Sequence, residues 1–137
     1  MLANNWGRIL FISSECASLT PPDLIAYSMT KAAILAVSRG LAQLTKGTNV
    51  TINSVIPGST LSQGAEQFLE DAAQKKQKTK DEIENAFFTK VRTTSLLQRF
   101  AKVEEVADTI VYITSPRSSA TNGAAIKVDG GSSGGLF

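Results

Sequence analysis

Two short apolar runs separated by one long helical pattern constrain the fold of this chain more than any other feature. Residues 8–13 read Arg-Ile-Leu-Phe-Ile-Ser, a nearly continuous apolar run typical of a strand covered on both faces of a parallel sheet. Residues 50–56 form a second, β-branched run, which Pro57 and Gly58 end. Because more than thirty residues separate the two runs, a helical crossover must connect them, as in a parallel βαβ unit. The sequence therefore predicts an α/β fold.

The crossover contains a long helical pattern at about residues 26–44. Its apolar and small residues lie on two faces. One face is a stripe of Ile34, Val37, Leu41 and Leu44, and the other carries Ala32, Ala36 and Gly40. A helix of this kind can pack on two sides. We expect a homo-oligomer to form through this 26–44 helix.

Residues 60–95 form a polar, helical excursion. Two sets of apolar positions at helical spacing predict two helices there, Ala65, Phe68, Leu69 and Ala72 followed by Ile83, Phe87, Phe88 and Val91. Thr79 and Glu82 fit a capping box at the start of the second helix. The lysine-rich residues 74–80 are interpreted as a solvated connector, the alternative being contacts with phosphates. We predict that the excursion is a mobile lid over a substrate pocket.

The rest of the chain predicts one more helix and one more strand. A helix begins near residue 103 and ends at Ser115 and Pro116. Residues 124–128 form the last strand, followed by a turn with two consecutive glycines. We therefore expect a parallel sheet of three strands, near residues 8–13, 50–56 and 124–128.

The composition excludes several kinds of chemistry. The chain has no histidine and one cysteine, Cys16, so a histidine base, imidazole-bound zinc and an internal disulfide are excluded, and no metal site is predicted. Fourteen lysines and arginines against twelve acidic residues leave a net charge of +2, too weak to indicate a nucleic-acid partner. No apolar stretch approaches the ~20 residues that span a bilayer, so no membrane contact is expected, and the cytoplasm is the expected location.

Ser14, Tyr27 and Lys31 form the most informative set of polar residues. Tyr27 and Lys31 are four positions apart at the start of the long helix, which places both side chains on one face. A phenol ionises near pH 10 in water, but a neighbouring ammonium stabilises the phenolate, so Tyr27 becomes usable as a proton donor and acceptor. Ser14 follows the first strand, at the edge where open α/β sheets bind ligands. We expect the hydroxyls of Ser14 and Tyr27 to lie within ~6 Å of each other, the reach of one bridging water.

Five motifs occur in an order that spans nearly the whole chain. They are GRILFISS at 7–14, YSMTKAA at 27–33, VTINSVIPG at 50–58, RFAKVEEVA at 99–107 and VDGG at 128–131. With the Tyr-x-x-x-Lys spacing and a serine thirteen positions before the tyrosine, they resemble the short-chain dehydrogenase/reductase family. The resemblance implies a Rossmann-like, doubly wound parallel sheet and an NAD(P)-dependent oxidoreductase that interconverts a carbonyl and an alcohol.

The resemblance also implies a role for each residue of the predicted site. Tyr27 would exchange a proton with the substrate oxygen, Lys31 would hold the nicotinamide ribose and tune the tyrosine, and Ser14 would polarise the carbonyl of a small-molecule substrate. NAD or NADP would be the cofactor, held by the same tyrosine and lysine and bordered by four further residues, Pro57, Gly58, Thr60 and Ser62. The alternative for Thr60 and Ser62 is that they are ordinary loop hydroxyls.

The sequence departs from the family in one respect. The family opens with a glycine-rich strand-to-helix turn that binds the cofactor pyrophosphate, and nothing in residues 1–137 matches it. We therefore interpret the chain as the C-terminal part of such a sheet, one partial domain lacking the N-terminal dinucleotide-binding half, with Met1 an internal methionine. We expect strand 8–13 to lose a neighbouring strand and the chain alone to be inactive. The alternative is a non-catalytic fragment that associates with itself or with a full-length relative.

Overall fold

The computed structural model describes residues 1–135, and its centre is a parallel sheet of three strands. The strands are β1 (Gly7–Ile12), β2 (Val50–Pro57) and β3 (Ala125–Val128), in the spatial order β1-β2-β3. The described residues also form five α-helices, α1 (Cys16–Leu19), α2 (Ile25–Gln43), α3 (Gln63–Lys76), α4 (Lys80–Lys90) and α5 (Val103–Thr114). This element order confirms the predicted α/β fold. Residues 136 and 137 of the predicted domain lie outside the described residues.

The three strands differ in how fully they are covered. Strand β2 pairs in parallel with both neighbours, so that Val55 lies opposite Ile12 on one side and Ile126 on the other. Residues on both faces of β2 are buried as far as Ile56, which requires packing layers above and below the strand. Strand β1 is only partly buried, and the Ile12 side chain is 43% exposed. Residues 8–13 are therefore not fully covered, and β1 is an edge strand within residues 1–135, as expected for a strand that lacks one neighbour.

Asn53 fixes the position of the chain that enters β3. Its side chain is 1% exposed at the middle of β2. The amide nitrogen donates to the carbonyl of Thr121 at 2.9 Å, and the amide oxygen accepts from the backbone nitrogen of Ala124 at 3.0 Å. Both hydrogen bonds bridge about 70 positions of the sequence. The buried amide is stable here because its nitrogen and its oxygen each have a hydrogen-bond partner.

Helix α2 packs on the sheet through small residues, and the predicted apolar stripe is mostly uncovered. Its buried residues are Ser28, Ser38 and Ala42. Val37 is 52% exposed and Leu44 is 72% exposed, so the sheet leaves this part of the stripe uncovered within the chain. Hydrophobic periodicity shows which residues tolerate burial, whereas close approach to the sheet selects small side chains.

The excursion after β2 has an apolar core of its own. Helices α3 and α4 pack on each other, and their buried residues form one cluster with a residue of the returning chain, comprising Leu69, Ala73, Ile83, Phe88 and Phe100. The Phe88 ring lies 5.1 Å from that of Phe100 and 5.0 Å from that of Phe87, edge to face in both cases. Phe68 and Val91 lie outside this cluster, because their side chains, 52% and 58% exposed, face a groove between the two helices.

Glutamate side chains at the third helical position cap the starts of two helices. In α4 the Thr79 hydroxyl accepts from the backbone nitrogen of Glu82, and the Glu82 carboxylate accepts from that of Thr79, as the sequence predicts. In α5 the Glu105 carboxylate accepts from the backbone of Lys102 at 2.7 Å and from Arg99 at 2.8 and 2.9 Å. These contacts lower the pKa of Glu105 to about 2, the Arg99 hydrogen bond being the largest cause.

Candidate active site

The turn after β1 is held against the end of β2 by backbone hydrogen bonds. The nitrogen of Ser13 donates to the carbonyl of Val55 at 2.8 Å, and that of Glu15 donates to the carbonyl of Pro57 at 2.9 Å. Between them lies Ser14, which is partly buried at the carboxyl edge of the sheet. Parallel pairing thus continues for three residues beyond β1 and fixes the backbone that carries Ser14.

Lys31 connects the end of β1 with Tyr27. Its ammonium nitrogen Nζ donates to the carbonyl of Ile12 at 3.2 Å and lies 5.5 Å from the centroid of the Tyr27 ring. The Ser13 hydroxyl donates to the backbone carbonyl of Lys31 at 2.8 Å, which fastens this turn of α2 to the strand end. Tyr27 is 44% exposed. The helix therefore brings a phenol and a cation together beside the carboxyl end of β1.

The Ser14 hydroxyl is engaged within its own turn. Its oxygen accepts from the backbone nitrogen of Cys16 at 3.2 Å. This contact uses one lone pair of the oxygen and leaves the hydroxyl proton available for another acceptor. Cys16 itself is a free, buried thiol.

The four residues predicted to border a cofactor all have structural partners. Pro57 ends β2, and its carbonyl accepts from Glu15. A Cβ atom at Gly58 would lie 2.6 Å from Cα of Asp129 and 2.7 Å from Oε2 of Glu15, so glycine is required there by packing alone. The Thr60 hydroxyl donates to the carbonyl of Gly58 at 3.0 Å, and the Ser62 hydroxyl caps α3 by accepting from the nitrogen of the third helical residue at 3.4 Å.

The turn after β3 faces the same edge. The carboxylate of Asp129 accepts from the nitrogens of Gly131 and Ser133 at 3.0 and 2.9 Å, and from the Ser133 hydroxyl. Burial raises the pKa of Asp129, but these hydrogen bonds outweigh it and lower the pKa below its ordinary value. Asp129 is thus a structural residue of the turn. The carbonyl of Gly130 then accepts from the nitrogens of residues 96 and 97, where the chain returns from the excursion.

Glu15 and Arg92 lie beside Ser14, and the sequence does not reveal them. The Nε nitrogen of Arg92 donates to Oε1 of Glu15 at 2.9 Å, and the Ser59 hydroxyl donates to the same oxygen at 3.1 Å. The side chains of Glu15 and Arg92 are 4% and 14% exposed. Because the pair spans 77 positions of sequence, the only local signal is an acidic residue directly after the predicted serine.

Neither a metal centre nor a membrane span is found in the part of the chain that the structure describes. Residues 1–135 hold no group of three or more His, Cys, Asp or Glu side chains that could bind a metal ion. No helix within the same residues is long and apolar enough to cross a membrane.

A parallel sheet flanked by helices, with polar residues gathered at its carboxyl edge, defines a Rossmann-like α/β protein. A family model described as Enoyl-(Acyl carrier protein) reductase matches residues 1–133. The chain belongs to the short-chain dehydrogenase/reductase family, a family of oxidoreductases. YvrD of Bacillus subtilis, an uncharacterized oxidoreductase, is 50% identical over 131 residues, which cover 96% of this chain and 50% of that protein. YvaG of the same organism is 44% identical with the same coverage.

Solved structures agree with this family. The L-sorbose reductase of Gluconobacter frateurii, solved with NADPH and L-sorbose, matches with a TM-score of 0.85 and 26% identity over 98% of this chain and 50% of that chain. The actinorhodin polyketide ketoreductase with NADPH has a TM-score of 0.80 at 23% identity, a likeness in fold alone. The chain spans about half the length of the curated relatives it matches.

Proposed function

We propose that the protein is an NAD(P)-dependent oxidoreductase that interconverts a small carbonyl compound and an alcohol through Ser14, Tyr27 and Lys31. The observation that supports this most is the position of the Lys31 ammonium, within 5.5 Å of the Tyr27 ring and bonded at 3.2 Å to the last carbonyl of β1. A cation, a phenol and the turn of Ser14 thereby share one edge of the sheet. Proton transfer to a carbonyl oxygen held at this edge would use such a phenol.

Each residue has a distinct task in this proposal. The Tyr27 hydroxyl gives its proton to the carbonyl oxygen during reduction and takes it back during oxidation. The positive charge of Lys31 stabilises the phenolate that remains. The Ser14 hydroxyl donates to the same carbonyl oxygen, where negative charge develops in the transition state.

The residues present fit one end of a dinucleotide. One donor of the Lys31 ammonium goes to the Ile12 carbonyl, which leaves two for ribose hydroxyls, and Tyr27 lies next to it. When bound, NAD or NADP would supply or accept the hydride. Pro57, Gly58 and the hydroxyls of Thr60 and Ser62 are proposed to border the nicotinamide. NADPH is present in the structure of the Gluconobacter L-sorbose reductase, which supports the choice of cofactor class.

A glycine-rich pyrophosphate-binding turn is proposed to belong to a part that this chain lacks. Support comes from the coverage of the relatives, of which the chain matches about half. We expect purified residues 1–137 to show no measurable oxidation of NAD(P)H with carbonyl substrates, because ribose contacts alone do not hold a dinucleotide. Robust NAD(P)H-dependent reduction by this chain, lost in Tyr27→Phe, would disprove that part of the proposal.

The catalytic roles are tested in a polypeptide completed with a dinucleotide-binding half. Tyr27→Phe should abolish turnover and leave cofactor affinity nearly intact, whereas Lys31→Ala should damage both. Ser14→Ala should lower kcat with little effect on cofactor binding. The matched control is Tyr112→Phe, since Tyr112 is 51% exposed on α5. Normal turnover in Tyr27→Phe would reject the site.

The excursion at residues 60–95 is proposed to act as a lid over the substrate. Its support is a separate apolar core in α3 and α4, which lets the segment move as a unit. Hydrogen exchange of α3 and α4 in the completed polypeptide tests this. If the amides of α3 and α4 were equally protected with and without cofactor and substrate, the lid proposal would fail and the excursion would have only a structural role.

A second candidate is a non-catalytic role in which α2 binds a second copy or a full-length relative. The favouring observation is the exposed apolar surface of α2, where Ile25 is 62%, Met29 65% and Val37 52% exposed. A homo-oligomer through α2 is compatible with either candidate. Sedimentation of wild type and of Met29→Lys measures it, and we expect the variant to shift toward monomer. Association without any activity in the completed polypeptide would favour the second candidate. For either candidate function, we propose that the protein is located in the cytoplasm.

A further inference from the structure

Glu15 links three segments around the candidate site through one carboxylate. It follows Ser14 directly in the turn after β1. Its Oε1 oxygen accepts from the hydroxyl of Ser59, in the turn after β2, at 3.1 Å. The same oxygen accepts from Arg92, just beyond the end of α4, at 2.9 Å. One side chain thus connects the serine turn, the proposed nicotinamide border and the excursion.

The burial of Glu15 makes it dependent on its partners. The side chain is 4% exposed, and its Oε2 oxygen is buried without a hydrogen-bond partner among the described residues. A carboxylate in such a place is stable only while a cation compensates its charge. Because Arg92 is the cation that reaches it, loss of Arg92 leaves a buried, uncompensated charge.

Arg92 makes further contacts that tie the excursion to this turn. Its guanidinium lies 5.8 Å from the centroid of the Phe87 ring in the excursion. Its Nη2 nitrogen lies 3.9 Å from the sulfur of Cys16. Arg92 therefore packs against Cys16 and joins the aromatic residues of α4 to the turn that carries Ser14.

We propose that Glu15 and Arg92 are positioning residues, whose ion pair seats the excursion and the Ser59 turn against the turn that carries Ser14. The pair does not touch the reacting atoms. It sets how often the excursion separates from the turn that carries Ser14. Its bearing on catalysis rests on the proposed function, whereas the seating itself does not. The two ideas can therefore fail separately.

The thiol of Cys16 reports on this contact. Cys16 is the sole cysteine of the chain and is 4% exposed, so its alkylation by iodoacetamide follows local opening. In residues 1–137 we expect Arg92→Met to label roughly a hundredfold faster than wild type, because breaking one side of a buried pair is strongly destabilising. Loss of a neighbouring cation alone makes a thiol less reactive. Faster labelling therefore reports opening.

A double variant and an exposed pair provide the controls. Glu15→Gln/Arg92→Met should label more slowly than Arg92→Met, because it removes the charge that Arg92→Met leaves unpaired. Lys80→Met breaks the exposed pair between Lys80 and Glu70 in the same excursion and should label within about threefold of wild type.

Amide hydrogen exchange shows where the opening occurs. In Arg92→Met we expect faster exchange at residues 58–62 and 88–95, with the amides of β2 unchanged. The proposal would be overturned if Cys16 in Arg92→Met were labelled at the wild-type rate. It would also be overturned if Cys16 in the double variant were labelled as fast as in Arg92→Met. If amide exchange in β2 accelerated as much as in those two segments, the proposal would also fail, because the ion pair would then support only overall stability. These measurements need no cofactor or turnover, so they hold even if the proposed catalytic roles fail.

Discussion

The carboxyl edge of the sheet and the helical excursion are held together by different forces. The edge is fixed by backbone hydrogen bonds that continue past the strands, as between Ser13 and Val55. At the opposite end of the sheet, the amide of Asn53 fixes the chain that enters β3. The excursion is held by an apolar core of its own and is attached to the rest through a few polar contacts. Directional bonds keep the candidate site residues in register, whereas an apolar core allows its segment to loosen as a unit.

Phe88→Ala should break the excursion and spare the sheet. Phe88 is 1% exposed at the centre of the aromatic cluster, and removal of such a ring costs about 3–5 kcal/mol. We expect hydrogen exchange in α3 and α4 to accelerate while β2 keeps its protection. Phe68→Ala, at a 52% exposed position in α3, is the control and should change little. Equal loss in β2 would show that the two regions form one cooperative unit.

Asn53→Ala is expected to loosen the sheet and spare the excursion, the opposite of Phe88→Ala. The change leaves the carbonyl of Thr121 and the nitrogen of Ala124 without their side-chain partner, which costs about 1–3 kcal/mol. Urea unfolding followed by far-ultraviolet circular dichroism should detect the loss, and exchange in β2 and β3 should accelerate more than in α4. Asn85→Ala, on the exposed surface of α4, serves as control. An unchanged midpoint in Asn53→Ala would show that the amide does not contribute to holding β3 against β2.

Thr79→Ala should have a smaller effect, confined to the excursion. It removes the hydroxyl that caps α4, a loss of about 1 kcal/mol. Exchange at the first turn of α4 should accelerate, whereas Cys16 labelling should stay near the wild-type rate. Thr89→Ala lies in the same helix, where its hydroxyl bonds only to the preceding turn, and should leave that first turn protected. A large gain in Cys16 labelling would mean that helix fraying reaches the edge of the sheet.

The smallest effect expected is a pH dependence in α5, which packs on the sheet. The pKa of Glu105 falls from its ordinary value of 4.5 to about 2, chiefly through the hydrogen bond from Arg99. A pKa lowered by folding means that the contact stabilises the folded chain above pH ~4.5 and is lost as the pH falls toward about 2. The carboxyl ¹³C shift of Glu105 should titrate with a midpoint near 2. Arg99→Gln should raise that midpoint, and an unchanged value would exclude Arg99 as the cause.

Sequence periodicity predicts the elements of this chain well because each one is a local pattern. The first strand was expected at residues 8–13 and lies at Gly7–Ile12, and the second was expected at 50–56 and lies at Val50–Pro57. The capping box of Thr79 is equally local. Strands and caps depend on neighbouring residues, so the sequence is sufficient for them.

Contacts between distant segments are what the sequence does not reveal. The pair of Glu15 and Arg92 looks like two ordinary surface charges until folding joins positions 77 apart. Phe100 completes the core of the excursion although it lies beyond the predicted segment. The exposure of Val37 on α2 depends on what packs beside the helix, which periodicity does not record. The spacing of Tyr27 and Lys31 was readable because both lie on one helix.

The turn after β3 also has a consequence for the timing of synthesis. Its Gly130 carbonyl accepts from the nitrogens of Leu96 and Leu97, so the return of the excursion gains these bonds only when residue 130 has been made. All residues of the apolar core of the excursion lie between residues 61 and 100. At 5–20 residues per second, the stretch from residue 100 to residue 130 takes roughly 1.5–6 s. During that interval the nascent excursion holds its own core while its last anchor does not yet exist.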